Sequence, residues 1–185
     1  MNSFSCYTIN PKNAQSSMII LSAFLEKDEP FINEFIEPQF DRITIRQGDR
    51  NISYSEKSGN YFYFSNLSPG QYEIGEMIHL IQKGNGGNSF GNSKSLSSIE
   101  PPLTQNDKSS TYINLEPGTV AFMGEVTVFV DLHIKGSMEI RASLNKDITS
   151  EKRAIDYFIK NYPRSGWVDL LKERKQSLNA ITIEK

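Results

Sequence analysis

Short apolar runs and stretches of polar–apolar alternation mark this chain up to about residue 145, and a helical spacing replaces them near its end. Met18 to Leu25 is the richest apolar run, and Phe31 to Ile36 follows it, with Pro30 and Pro38 at the breaks. Proline removes a ladder donor, so both runs are expected as edge strands or strand ends rather than at a sheet centre. Arg42-Ile43-Thr44-Ile45-Arg46 alternates polar and apolar, the pattern of a half-buried strand. Asn51 to Tyr54 is expected as its return partner across a turn at Gln47 to Arg50. Tyr61-Phe62-Tyr63-Phe64 is aromatic on both faces and predicts a well-buried strand.

An internal echo is the most informative feature. Asn66-Leu67-Ser68-Pro69-Gly70 leads into Gln71 to Ile74 and then Gly75-Glu76. Forty-eight residues later, Asn114-Leu115-Glu116-Pro117-Gly118 leads into Thr119 to Met123 and then Gly124-Glu125. Proline pre-sets the first central position of a type II turn, and glycine supplies positive φ at the second. Pro69, Gly70, Pro117 and Gly118 are therefore assigned to structural turns, as two hairpins meeting in a sandwich. Either an internal duplication or independent use of a good turn produces such an echo.

The strand after the second corner has the clearest pattern. Val120, Phe122, Val126, Val128, Val130 and Leu132 share one face with Gly124, and Ala121, Met123, Glu125, Thr127, Phe129, Asp131 and His133 share the other. Alternation resumes after Lys135-Gly136-Ser137, with Met138, Ile140, Ala142 and Leu144 against Glu139, Arg141 and Ser143. Two registers keep that parity. With Gly136 in the left-handed position of a bulged turn, Asp131 faces Glu139. Shifted by one on each strand, Asp131 faces Arg141 and His133 faces Glu139. The turn favours the first and the charges favour the second.

Helical spacing then takes over. Thr149 or Ser150 can cap a helix carrying Ala154, Ile155, Phe158, Ile159 and Tyr162, which Pro163 stops. Ser165 can cap a second helix with Trp167, Leu170, Leu171 and Leu178. The expected division is a polar tether over 1–17, a β-sandwich over 18–145 and helices over 146–185 packed on it. Residues 84–110 begin as almost pure Gly, Asn, Ser and Lys, a composition that buries too little surface to offset its ordering entropy. They are expected as a long flexible loop.

Composition narrows the classes. The 185 residues carry a formal net charge of −2 with acids and bases interspersed, so a nucleic-acid partner is not expected. No apolar run approaches the roughly eighteen residues of a spanning helix. A metal site needs clustered ligands, and His79 and His133 stand far apart. Asp28-Glu29 reads as a loop pair. Gly84-Asn85-Gly86-Gly87 lacks the Lys-Ser/Thr of a phosphate loop. No nucleophile-and-base pattern is present, so no catalytic residue, cofactor or metal is assigned. The tripeptides at Asn51 and Asn66 fit a glycosylation pattern, and the second is better explained by its turn. Tyr54, Tyr61, Tyr63, Tyr72 and Tyr112 form a sugar- or peptide-binding face if exposed, and cross-strand packing if not.

Cys6 is the single cysteine, which excludes an internal disulfide framework. Ser3-Phe4-Ser5-Cys6 followed by a polar run resembles the lipidation site of bacterial lipoproteins. Phe4 departs from the small residue usual there, and the apolar stretch of a signal peptide is missing. The alternative is an incidental thiol.

Tyr61 to Ile74, an aromatic strand followed by Leu67-Ser68-Pro69-Gly70-Gln71-Tyr72, resembles the signature of transthyretin-like and carboxypeptidase-regulatory-like sandwiches. With Cys6 and the Trp167 tail, the whole is similar to bacterial lipoproteins built on such a domain. The resemblance implies a mainly β, antiparallel sandwich of about seven or eight strands and brings no catalytic residues. It implies a non-enzymatic envelope protein, anchored at the outer membrane or in the periplasm by a lipid on Cys6. A protein partner is then expected at a sheet edge or at the 84–110 loop. The alternatives are a glycan- or small-molecule-binding sandwich that uses the tyrosines, a hydrolase with a hidden site, and a cytoplasmic module if Met1 is the true start.

Overall fold

The computed structural model describes residues 9–27, 40, 42–78, 111–132 and 138–183. Cys6, Phe31 to Ile36, both histidines, Gly136 and the 84–110 segment lie outside them. In chain order the elements are β1 (Ser17–Lys27), β2 (Arg42–Gln47), β3 (Arg50–Ser53), β4 (Glu56–Ser58), β5 (Tyr61–Leu67) and β6 (Gly70–Ile78). There follow β7 (Tyr112–Leu115), β8 (Val120–Leu132), β9 (Met138–Asn145), α1 (Ile148–Asn161) and α2 (Val168–Ile183). The strands form a five-stranded sheet, β4-β5-β1-β8-β9, over a four-stranded sheet, β3-β2-β6-β7.

Two expectations need correction at once. Among the described residues there are nine strands, and the sandwich is not purely antiparallel, because β1 runs parallel to β8. Nor is Met18 to Leu25 an edge. β1 is the middle strand of the larger sheet, hydrogen-bonded to β5 on one side and β8 on the other. Pro30 falls beyond its end and removes no donor from it. The composition fits this place: Met18, Ile19, Ile20, Leu21 and Ala23 are all buried, so both faces of the strand are covered.

The two covers differ. Ile19, Leu21 and Ala23 point into the space between the sheets, with Phe62, Phe64, Ile43, Ile45, Ile74, Met77, Val126 and Val128. Met18 and Ile20 point the other way, onto α1 and α2, with Tyr61, Tyr63, Phe122, Ile155, Phe158, Trp167 and Leu171. The molecule is thus three layers with two cores, and the helices close the outer one, as their apolar stripes predict.

Among the described residues, alternation along the strands is broken three times, and each break changes the parity of the positions that follow. Ile20 pairs with Phe122 but Leu21 with Gly124, so Met123 is an extra residue in β8. Val120 and Phe122 therefore face the helices, whereas Met123, Val126 and Val128 face the second sheet. The single face expected for this strand does not exist. β6 breaks in the same way between Ile74 and Met77, where Thr44 Oγ1 accepts the Glu76 N–H at 2.8 Å. The third break lies in β5 between Phe64 and Leu67, around Asn66 at φ +60°. A bulge shifts the parity of the side chains beyond it, so Leu67 stays in the inner core with Phe64, Met77 stays there with Ile74, and Val126 and Val128 enter it although Phe122 faces the helices.

The Pro-Gly corners are not hairpins. Pro69-Gly70 carries the chain from β5 in one sheet to β6 in the other, and Pro117-Gly118 carries it back from β7 to β8. Their backbones differ as well. Gly118 sits at φ +66°, as a type II turn requires, while Gly70 is at +145° and already pairs with Leu115. Asn66 is left-handed, and its counterpart Asn114 pairs in register with Gln71. In both copies the Gly-Glu pair that follows lies at a bulge.

At the β8–β9 connection Asp131 is opposite Glu139 and Leu132 opposite Met138, the register the turn favours over the charges. The α1 cap is Asp147, neither Thr149 nor Ser150; its Oδ1 accepts the Ser150 N–H at 2.6 Å. A carboxylate there both caps and complements the helix dipole, which a hydroxyl does only in part. The end of α1 at Tyr162 and Pro163 is as expected. Ser165 Oγ accepts the Trp167 N–H at 3.3 Å just ahead of α2, and Glu151 of α1 holds Arg174 of α2 through both carboxylate oxygens.

Residues 9–16 are a strap on the domain rather than a free tether. Ile9 is buried in the outer core, and its carbonyl accepts a hydrogen bond from Ser165 Oγ. Asn10 Oδ1 takes the Gly166 N–H at 2.8 Å, and the Gly118 N–H donates to Gln15 O at 3.3 Å. The strap thus ties the helical corner to the second Pro-Gly corner.

Two stability predictions follow from this packing. A Cβ on Gly118 would lie 2.5 Å from the Ala14 carbonyl oxygen, whereas Gly48, at a similar φ of +57°, has nothing within 4 Å. Gly48→Ala is expected to be destabilised by the left-handed strain alone, about 1 kcal/mol, and Gly118→Ala clearly more, in chemical denaturation. Tyr63 is fully buried and its hydroxyl has no partner among the described residues. Burial raises its pKa above the ordinary 10.0, so above pH 10 the unfolded chain loses a proton that the folded chain keeps. Its contribution is therefore complete below pH 10 and declines as pH rises. Tyr63→Phe is expected to flatten that alkaline decline in denaturation curves and to stay within about 1 kcal/mol of wild type at neutral pH.

Candidate functional site: a cationic cleft at the sandwich edge

The tyrosines do not make a binding face. Tyr61, Tyr63 and Tyr72 are buried, and Tyr54 packs edge-on against Phe62 at 5.3 Å. Tyr61 lies tilted against Tyr157 and Tyr63 meets Phe158 edge-on, so their rings belong to the outer core. Burial raises the pKa of Tyr61 and Tyr72 as it does that of Tyr63. Tyr112 alone of the five is exposed, at 41%.

A different concavity opens where the two sheets part, between β5 on one side and the β2–β3 hairpin on the other. It has a volume of about 390 Å³. Its floor is Leu67, Ile52 and the ring of Tyr72, whose hydroxyl donates to Ser68 O at 2.7 Å. One wall is the hairpin turn, which brings Gln47 and Arg50. The other is the Asn66 bulge with the strap lying on it.

Asn66 builds that wall. Its left-handed backbone swings the amide outward, where Oδ1 accepts the Lys12 N–H at 2.7 Å and Nδ2 donates to Asn10 O at 3.2 Å. Asparagine is the residue that adopts this backbone most readily after glycine and still offers both a donor and an acceptor. The clamp sets Lys12 on the rim of the cleft. Beside it, Ser55 Oγ accepts from both the Ser65 N–H at 2.8 Å and the Ser65 hydroxyl at 2.9 Å.

The electrostatics are one-sided. Lys12 and Arg50 line the cleft, no lining residue is acidic, and among the described residues neither cation has a carboxylate within ion-pairing distance. The Arg50 charge reaches the floor, because it opposes the rise that burial imposes on the Tyr72 phenol. Such a site can bind and orient an anion. Among the described residues no three His, Cys, Asp or Glu side chains gather to hold a metal, and no helix is long and apolar enough to cross a membrane.

Of the residues singled out from sequence, Pro69 and Gly70 form the corner next to the cleft, where Gln47 Nε2 reaches Pro69 O at 3.5 Å. Pro117 and Gly118 lie at the other corner. Lys12, Arg50, Ser55 and Ser65 carried no signal in the sequence. They come from a strap, a turn, the link between β3 and β4 and the body of β5, and only the fold joins them. Asn66, Leu67, Ser68 and Tyr72 stood inside the Pro69-Gly70 turn motif, which marked them as turn and strand residues and not as a site.

No family model, curated protein or solved structure matches this chain.

Asn66→Gly keeps the left-handed backbone and removes the clamp. It is expected to cost about 1–2 kcal/mol and to speed hydrogen exchange at the Lys12 amide without disturbing β1. Unchanged exchange at Lys12 would mean that the strap is held by its other contacts alone.

Proposed function

We propose that this chain is a non-catalytic binding module of the cell envelope whose working surface is the cationic cleft. One observation carries the reading: among the described residues, two cations without an ion-pair partner and several hydroxyl and amide groups line a cavity to which no carboxylate contributes. That is a donor-rich receptor, and it lacks the base that nucleophilic or acid–base chemistry requires. The likeness of Tyr61 to Ile74 to transthyretin-like and carboxypeptidase-regulatory-like sandwiches favours the same accessory role.

The envelope part rests on Cys6. Only Tyr7 and Thr8 separate it from the pinned Ile9, so at most about 11 Å of extended chain links the two. A lipid on Cys6 would hold the domain against the bilayer rather than on a stalk. Mass spectrometry of the N-terminal peptide from native cells tests this. A lipid-modified Cys6 with residues 1–5 removed is expected. An unmodified N-terminus at Met1 or Asn2 would overturn the membrane tether and its localisation.

A further inference from the structure

We infer that the cleft takes a small hydroxyl-bearing ligand through an oxyanion, a phosphate or a carboxylate, held between Lys12 and Arg50. This rests on the binding-module reading and adds the ligand's chemistry. The two cations approach from opposite walls, Lys12 on the strap and Arg50 at the end of the β2–β3 turn. Like charges that share a concavity with no counter-charge set up a field that only an anion or solvent can satisfy. A guanidinium presents a planar fork that matches two oxygens of a phosphate or carboxylate, and an ammonium adds a point charge.

The remaining groups suit a polyhydroxylated body. Ser55 and Ser65, joined through their hydroxyls at 2.9 Å, add hydroxyl groups to the lining that can pair with a ligand hydroxyl. Gln47, half-buried on the opposite wall, offers an amide that can pair with a hydroxyl. The volume of about 390 Å³ suits one sugar-sized molecule rather than a polymer.

The test is a titration of the full, ¹⁵N-labelled chain with glucose 6-phosphate and with glucose, each to about 10 mM at low salt. Vesicles of phosphatidylglycerol and of phosphatidylcholine are tested in parallel by sedimentation. Glucose 6-phosphate is expected to shift the Ser55, Ser65 and Tyr72 amides, and glucose to leave them unmoved. A Lys12→Ala/Arg50→Ala double variant, whose lost side chains make no ion pair among the described residues, is expected to bind at least about tenfold more weakly. Lys172→Ala, on α2, is expected to bind as wild type does. Sedimentation with phosphatidylglycerol alone, lost in the double variant, would identify a lipid headgroup as the source of the oxyanion. Shifts with the sugar phosphate and no sedimentation would identify a soluble one. Equal shifts with glucose, or unweakened binding by the double variant, would overturn the oxyanion and leave the binding module standing. No response to either compound or to either vesicle would overturn both.

Discussion

Everything in this fold depends on one strand being wanted by both cores. β1 lies between β5 and β8, and its alternating side chains fill the space between the sheets on one face and the space beneath the helices on the other. Each fully buried aliphatic group contributes about 1.5–3 kcal/mol, so Met18, Ile19, Ile20 and Leu21 together outweigh any surface feature of the molecule. β1 is also where the chain closes on itself. Its first residue, Ser17, accepts the Thr119 N–H across 102 residues of sequence, and the Ser17 hydroxyl donates to Glu116 O at 2.7 Å. Contacts of that range are formed against a large loop entropy, which makes such a topology slow to fold.

A strand shared by two cores imposes a bookkeeping of faces on its neighbours, and the bulges are how they meet it. β5 and β8, which flank β1, each turn over once along their length. Without its extra residue β8 would place either Phe122 or Val126 on the wrong side. The Asn66 bulge has a second consequence: the backbone that reverses the face of β5 also throws the Asn66 amide outward, and that amide anchors the strap and sets the rim of the cleft. The candidate site is thus a by-product of how the two cores are reconciled. That gives a physical reason for its position at the edge where the sheets separate.

Much of the architecture was legible in the chain. The strands from Arg42 to Ile74, the aromatic core strand, the helical spacing of Ala154 to Tyr162 and the stop at Pro163 all follow from period and turn chemistry. What failed did so for identifiable reasons. Met18 to Leu25 was read through Pro30, although a proline past the end of a strand leaves its ladder intact. The β8 pattern was read as unbroken because Met123 is apolar, and an apolar residue at a bulge gives no sign of the shift. The corners were read as hairpins because Pro-Gly specifies a local turn and says nothing about which sheet the next strand joins. The cleft was illegible, since Lys12, Arg50 and Ser55 are ordinary surface residues until Asn66 and the β2–β3 turn bring them together.

Native-state hydrogen exchange across β1 is the most direct test of this account. If β1 is the common member of both cores, the amides of Met18 to Ala23 exchange only through global unfolding, with the same free energy as those of β8. If they exchange through a cheaper opening while β2 and β6 stay protected, β1 is a late addition to a sandwich that stands without it, and the account is wrong.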